Sequence, residues 1–186
     1  MTNVTFITGN KDKAEFLAKY LHHPVKHLKL DLEEIQSLDS REIIEHKSHQ
    51  AFSRVGSPVL VEDVSVVINA LGRLPGPFIK WFEQELGLEG IIRLLNNIDD
   101  RSASVKITYG YFDGESLKIF EDEVAGSIAD KPRHGNYDFG WNPIFIPKGS
   151  DKTFAQLSEH EVEHYSLRTR KVYPELKKFL SELDIK

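Results

Sequence analysis

The run Leu60-Val61-Glu62-Asp63-Val64-Ser65-Val66-Val67-Ile68 sets two adjacent carboxylates inside what otherwise reads as a buried β-strand. Pro58 opens it, and Val59, Leu60, Val61, Val64, Val66, Val67 and Ile68 supply β-branched character without strict alternation, the pattern of a strand covered on both faces. Successive strand residues point to opposite faces, so Glu62 and Asp63 cannot both escape to one side. A lone carboxylate is costly to bury unless it is paired, hydrogen-bonded or bound to a cation. Either the strand ends at Val61 and the acids are solvated in a turn, or an acidic site sits in a core strand, where general bases and metal ligands are found. The loop that follows, Asn69 to Pro77, is stiffened by Pro75 and Pro77 around Gly76 and leads into the apolar Phe78-Ile79-Lys80-Trp81-Phe82. A rigid loop of this kind can hold backbone groups beside a site, which supports the second reading.

At 186 residues, 40% hydrophobic and 28% charged, the chain is long enough for a sizeable core in one domain, residues 1–186, with at most two lobes. A net charge of −5 argues against a broad nucleic-acid or anionic-membrane surface, but not against a small anionic substrate met by local positive charge. The absence of cysteine excludes disulfides and thiolate metal sites. No signal peptide and no membrane-length apolar run are visible, so the expected location is cytoplasmic, and the sequon Asn3-Val4-Thr5 is a chance match.

Periodicity predicts a strand over Val4 to Ile7, a turn at Thr8-Gly9-Asn10, and a helix over Lys11 to Leu21 with Phe16, Leu17, Tyr20 and Leu21 on one face. A strand over Val25 to Leu30 follows, then a helix capped by Ser40 and running to about Val55, with Ile44, Ala51, Phe52 and Val55 inward. Further helices read over Ile79–Leu86 and Glu89–Asn96. Ala103 to Tyr111 alternates cleanly and turns back at Asp113-Gly114 through Leu117 to Phe120, with Val124 to Ile128 extending the sheet. The chain ends in a helix that Pro174 kinks or restarts. The order is that of an α/β fold around an extended mixed sheet.

Three elements can build an anion site. The strand-to-helix turn Thr8-Gly9-Asn10-Lys11-Asp12-Lys13 offers backbone N–H groups, a helix dipole, and Lys11 or Lys13, though not the spacing of a Walker loop. Lys47, at the edge of a buried helical stripe, either snorkels or delivers an ammonium into a cleft. Arg168 and Arg170, near Ser166, are a third source of charge or solvated surface residues. Glu34, Glu62 and Asp63 are hard oxygen donors suited to Mg²⁺ bridging substrate phosphates. The eight histidines show no zinc spacing; His22-His23, His46 with His49, and His160 with His164 are local pairs without a matching third ligand. Phe139-Gly140-Trp141-Asn142 offers two aromatic faces and an amide, either a grip for a nucleobase or a core cluster around a tight turn.

Taken together, Thr8-Gly9-Asn10 with Lys13, Glu34-Ile35-Gln36, Lys47, Val61-Glu62-Asp63, Leu71 to Phe82, Phe139 to Phe145, and Thr153-Phe154-Ala155 through Ser166-Leu167-Arg168 resemble, in order and over nearly the full chain, the inosine triphosphate pyrophosphatase family of noncanonical purine NTP pyrophosphatases. The resemblance implies an elongated α/β fold with two lobes, a central cleft and a homodimer. It implies Mg²⁺-dependent hydrolysis of ITP, dITP or XTP to the monophosphate and pyrophosphate. By position, Asp63 would be general base and metal ligand, with Glu34 and Glu62 as further metal ligands and Lys47 in a catalytic role. Thr8, Gly9, Asn10, Lys13 and Lys47 would hold the triphosphate. Phe139 would stack on the base, and Gly140, Trp141, Asn142, Ser166, Leu167 and Arg168 would line it.

The chain departs from the family pattern chiefly around the base. Asn142 stands where Asp is usual, Leu167 where His is usual, Val162-Glu163 for Lys-Asn, and Val64 for Ser or Thr. Losing such polar contacts predicts a weaker preference for inosine. Two alternatives stay open: the same reaction with an altered or relaxed base preference, and a catalytically weak nucleotide-binding protein.

Overall fold

The computed structural model describes residues 4–183; the sequon residue Asn3 lies outside them. Seven strands form one mixed sheet: β1 (Val4–Ile7), β2 (Val25–Leu28), β3 (Val59–Ile68), β4 (Pro75–Gly76), β5 (Ser102–Phe112), β6 (Leu117–Ile128) and β7 (Phe145–Pro147). Their order is β2-β1-β3-β5-β6-β7, with β4 paired to β3. β1 is parallel to β2 and β3, whereas β4 is antiparallel to β3 and β7 to β6. The helices are α1 (Lys11–Leu21), α2 (Ser40–Val55), α3 (Ile79–Arg93), α4 (Glu159–Tyr165) and α5 (Tyr173–Leu183). The chain divides into two compact units, one comprising the residues up to Asp63, 107–122 and those from Arg168 onward, the other 64–106 and 123–167.

In the first unit, β3 lies between β1 and β5, which accounts for its continuous apolar run. The strand does not end at Val61 but continues through both acids to Ile68. Val59 and Val61 pack with Ile7, Ile44, Ala51 and Phe112 beneath α2. Burying each of the larger aliphatic side chains contributes roughly 1.5–3 kcal/mol. The two-residue period then assigns Asp63 to the α2 face and Glu62 to the opposite one.

Local chemistry sets the ends of these elements. Asn10 caps α1, its Oδ1 accepting the Lys13 N–H at 3.1 Å. Asp39, not Ser40, caps α2 by accepting the Arg41 N–H at 2.9 Å; Ser40 is the first helical residue and is buried. A carboxylate is as good a cap as a hydroxyl, and the residue one position earlier took the role. Along α1, Ala14, Leu17 and Leu21 are buried, while Phe16 of the expected inward face is 49% exposed. Asp113 closes the β5–β6 turn by accepting the N–H groups of Glu115 and Ser116. Both strands outrun their apolar pattern, and β6 is one unbroken strand. Pro174 is the second residue of α5, where a missing N–H costs nothing, after a π-turn over residues 168–172.

In the second unit, α3 breaks at Gly87, whose φ of 66° is accessible to glycine, giving the two helical stretches expected there. Among the described residues no helix is long and apolar enough to cross a membrane.

Candidate active site

Asp63 faces α2, and α2 delivers Lys47 to it. The Lys47 ammonium does not snorkel outward. It donates to the Glu62 carbonyl at 3.0 Å and to Glu34 Oε1 at 3.2 Å, and lies 3.9 Å from Asp63 Oδ1. Ser40, the first residue of α2, also hydrogen-bonds the Asp63 side chain. The other carboxylate oxygen, Oδ2, is buried and accepts nothing. Burial is the main force raising the Asp63 pKa to about 7; Lys47 opposes it, Glu34 and Glu62 add to it, and Ser40 draws it back. A buried carboxylate poised near neutrality with an unpartnered oxygen suits a general base or the ligand of an incoming cation. Glu34, across Lys47, is half-exposed. Among the described residues, no three His, Cys, Asp or Glu side chains converge to hold a metal. Magnesium nevertheless fits, because it is commonly bound by one or two carboxylates together with substrate oxygens.

Glu62 occupies the opposite face and a different environment. Its Oε1 lies 2.5 Å from the Lys13 ammonium, and its Oε2 accepts from Tyr109 at 2.7 Å and from Arg168 Nη2 at 3.2 Å. Burial acts to raise its pKa, but Arg168, Lys13 and the Tyr109 hydrogen bond outweigh burial and hold it at about 2. Glu62, expected from sequence as a metal ligand with Glu34 and Asp63, faces away from them and is engaged by the cations Lys13 and Arg168 and by Tyr109. Arg168, expected at a base edge, is one of those cations.

The turn between β1 and α1 is shaped by its own side chains. Thr8 Oγ1 accepts the Asn10 N–H at 3.2 Å while Asn10 caps the helix, and Gly9 is exposed between them. Of the five candidate cations, Lys13, Lys47 and Arg168 reach the acid pair. Lys11 pairs with Glu15 on the surface of α1, and Arg170 with Asp122.

In the second unit, the two local readings of the aromatic turn divide between its two rings. Trp141 is half-buried and packs edge-on against the buried Phe145 and Phe154, both at 5.7 Å. Phe139 is 65% exposed. Gly140 holds a φ of 53°. Asn142 turns its amide inward, Nδ2 donating to the Tyr137 carbonyl at 2.9 Å. Ser166 ends α4, its N–H donating to the Val162 carbonyl. Leu167 is buried. His160 and His164 are exposed.

Four residues of these neighbourhoods carried no motif: Ser40, Tyr109, Tyr173 and Glu83. Glu83 of α3 accepts the Trp141 N–H, and its pKa is raised by burial. A signal existed for Tyr109 alone, since a tyrosine at an inward position of an alternating strand needs a partner for its hydroxyl.

The site is thus an acid pair in the central strand of a mixed-sheet α/β fold, flanked by Lys13 of α1, Lys47 of α2 and Arg168 of the π-turn before α5. The Ham1 family model matches residues 4–177, and the chain belongs to the Ham1 family. It is 35% identical over 185 residues to the inosine triphosphate pyrophosphatase of Scheffersomyces stipitis, covering 91% of this chain and 94% of that one. It is 38% identical over 171 residues to inosine triphosphate pyrophosphatase 2 of Trypanosoma cruzi, covering 90% and 87%. The fold matches the Ham1 protein of Staphylococcus aureus with a TM-score of 0.84 at 26% identity, over 97% of this chain and 98% of that one. A HAM1 protein from Coxiella burnetii gives the same TM-score at 25% identity, over 98% and 100%.

Proposed function

We propose that this protein is a nucleoside triphosphate pyrophosphatase that hydrolyses noncanonical purine triphosphates such as ITP, dITP and XTP to the monophosphate and pyrophosphate. The observation that carries the proposal is Asp63, a buried carboxylate near neutrality with an unpartnered oxygen beside the Lys47 ammonium. The relatives' names support the substrate class.

Asp63 takes the proton of the attacking water, which requires the carboxylate form and a position within reach of that water. Lys13, Lys47 and Arg168 supply three positive charges to a triphosphate carrying about four negative ones, lowering the barrier to attack by an anionic nucleophile. Of the turn before α1, Gly9 is the residue that can offer its backbone N–H to a phosphate, since the Thr8 N–H donates to the Leu28 carbonyl and the Asn10 N–H to Thr8 Oγ1. Asp63 and Glu34 would hold Mg²⁺, which supplies further neutralisation of phosphoryl oxygens when bound. Phe139 offers its exposed ring to the base. The same reaction with a broader base range is favoured by one observation: Asn142 commits its Nδ2 to the Tyr137 carbonyl, and Leu167 is buried and carries no polar group. We further assign residues 1–186 to a single catalytic domain, working as a cytoplasmic homodimer without nucleic-acid or membrane partners.

Pyrophosphate release from ITP, dITP, XTP, ATP and GTP, with and without Mg²⁺, tests the reading. Turnover of the deaminated purines that stops on chelation is expected. Nucleotide binding without pyrophosphate release would replace the enzyme with a binding protein, and equal rates on all five would select the broad-range alternative.

A further inference from the structure

Tyr109 lies in β5 and is wholly buried, yet its hydroxyl meets three polar partners: Glu62 Oε2 at 2.7 Å, Arg168 Nε at 3.3 Å and the Tyr173 hydroxyl at 3.3 Å. A phenol has one hydrogen to give and two lone pairs to receive with. A guanidinium only donates, and a carboxylate flanked by Lys13 and Arg168 only accepts. The single Tyr109 hydrogen therefore points to Glu62, Arg168 donates to the Tyr109 oxygen, and Tyr173 must be the donor in the pair of hydroxyls. Only this arrangement satisfies the group, and its donor chain, Tyr173 to Tyr109 to Glu62, runs in one direction, so each bond polarises the next.

The ring that carries this hydroxyl has little freedom. It packs against Phe6 at 5.8 Å and edge-on against Tyr173 at 5.9 Å. Glu62 is 10% exposed, whereas its partners Lys13 and Arg168 are 25% and 28% exposed. A buried carboxylate thus grips two cations whose side chains remain about a quarter exposed.

We propose that Tyr109 is a positioning residue that keeps Glu62 turned onto Lys13 and Arg168, so that both cations stand ready for the phosphate oxygens of the substrate. This rests on the pyrophosphatase reading only for the identity of the ligand. Without the hydroxyl, the carboxylate loses the one partner that is neither mobile nor charged, and its cations lose a fixed anchor. A purely structural hydroxyl would affect folding and leave affinity alone.

The test uses inorganic tripolyphosphate, which probes phosphate contacts without a base or turnover, alongside steady-state ITP hydrolysis. Tyr109→Phe should weaken tripolyphosphate binding and raise KM for ITP by about tenfold, with kcat within about twofold, the scale expected when a hydrogen bond to a charged group is lost. Tyr111→Phe removes a hydroxyl two residues along the same strand and should leave both quantities unchanged. If Tyr109→Phe fails to fold, Tyr173→Phe, which removes the bond feeding Tyr109, should show a smaller loss in the same direction. Parent-like tripolyphosphate affinity in whichever of these variants folds overturns the proposal, as does a parent without affinity for tripolyphosphate. A parent that binds tripolyphosphate more tightly than Tyr109→Phe, yet hydrolyses no nucleoside triphosphate, sinks the pyrophosphatase reading and leaves the role of Tyr109 standing.

Discussion

Glu62 and Asp63 are neighbours in one strand, are equally buried at 10% exposure, and lie at opposite ends of the carboxylate range, at about 2 and about 7. Burial pushes both upward. What differs is the face. Glu62 meets two cations and a phenol in direct contact, whereas Asp63 has a lysine at 3.9 Å that is already shared with Glu34 and a backbone carbonyl. Strand alternation has separated one acid that is permanently charged from one that can exchange a proton near neutrality. The first suits the holding of cations and the second suits proton transfer, so two similar residues acquire different electrostatics from their partners alone.

The largest expected effect tests that division of roles. Asp63→Asn keeps the shape but removes the proton acceptor, so pyrophosphate release from ITP should fall by about 10²–10⁴-fold, the usual worth of a general base. Tripolyphosphate binding should persist. A rate within threefold of the parent would move the chemistry elsewhere.

Stability should respond with opposite signs. Glu62→Gln leaves Lys13 and Arg168 facing an amide and should cost about 2–4 kcal/mol in urea unfolding, somewhat less than breaking a fully buried pair because both cations reach water. Asp63→Asn should stabilise the protein at pH 8 by about 1–2 kcal/mol, since it removes a buried charge while leaving an imperfectly bonded amide. The pH dependences run in opposite senses. The folded-state pKa of Glu62 lies below its usual 4.5, so its contribution is present above that pH and is lost as the pH falls towards 2. That of Asp63 lies above its usual 3.8, so its contribution is present below that value and is lost as the pH rises through about 7. Destabilisation of both variants at pH 8 would erase the distinction.

A smaller effect follows for activity. The acid limb of kcat/KM, which reports the free enzyme, should have its midpoint near 7 and should disappear in Asp63→Asn. Raising Mg²⁺ should move the limb to lower pH, because a cation favours the carboxylate form. A pH-independent kcat/KM between 5 and 8 would dissociate Asp63 from proton transfer.

The sequence carried much of this. The β-branched run marked β3, and its two-residue period alone separated the acids. Which acid would be saturated was not legible, because the deciding contacts come from Lys13, Tyr109 and Arg168, which are 49, 47 and 106 residues from Glu62. Local pattern does not encode partners at such separations. The same limit applies to Phe139 and Trp141. Both read as aromatic faces on one turn, and only the positions of Phe145 and Phe154 decide that Trp141 packs against the core while Phe139 stays exposed. Arg168 likewise sits beside Leu167 in a motif associated with the base, while its guanidinium belongs to the Glu62 cluster.

The aromatic turn gives the comparison its mildest test. Asn142 holds the turn by donating to the Tyr137 carbonyl, a role that needs an N–H. Asn142→Asp would bring a carboxylate against that carbonyl and remove the donor, loosening the turn that carries Phe139. The expected result is a rise in KM of about two- to fivefold for ITP and ATP alike, close to the loss of one ordinary hydrogen bond. Because the amide is engaged within the turn, the ratio of kcat/KM for ITP over ATP should change by less than about threefold, below the 1–3 kcal/mol that a direct base contact typically discriminates. The contrast with Glu62 is then one of degree: both are polar side chains held by fixed partners, but one anchors two cations and the other a single carbonyl. A gain in inosine selectivity of about tenfold or more in Asn142→Asp would mean that the side chain leaves Tyr137 and reads the base directly.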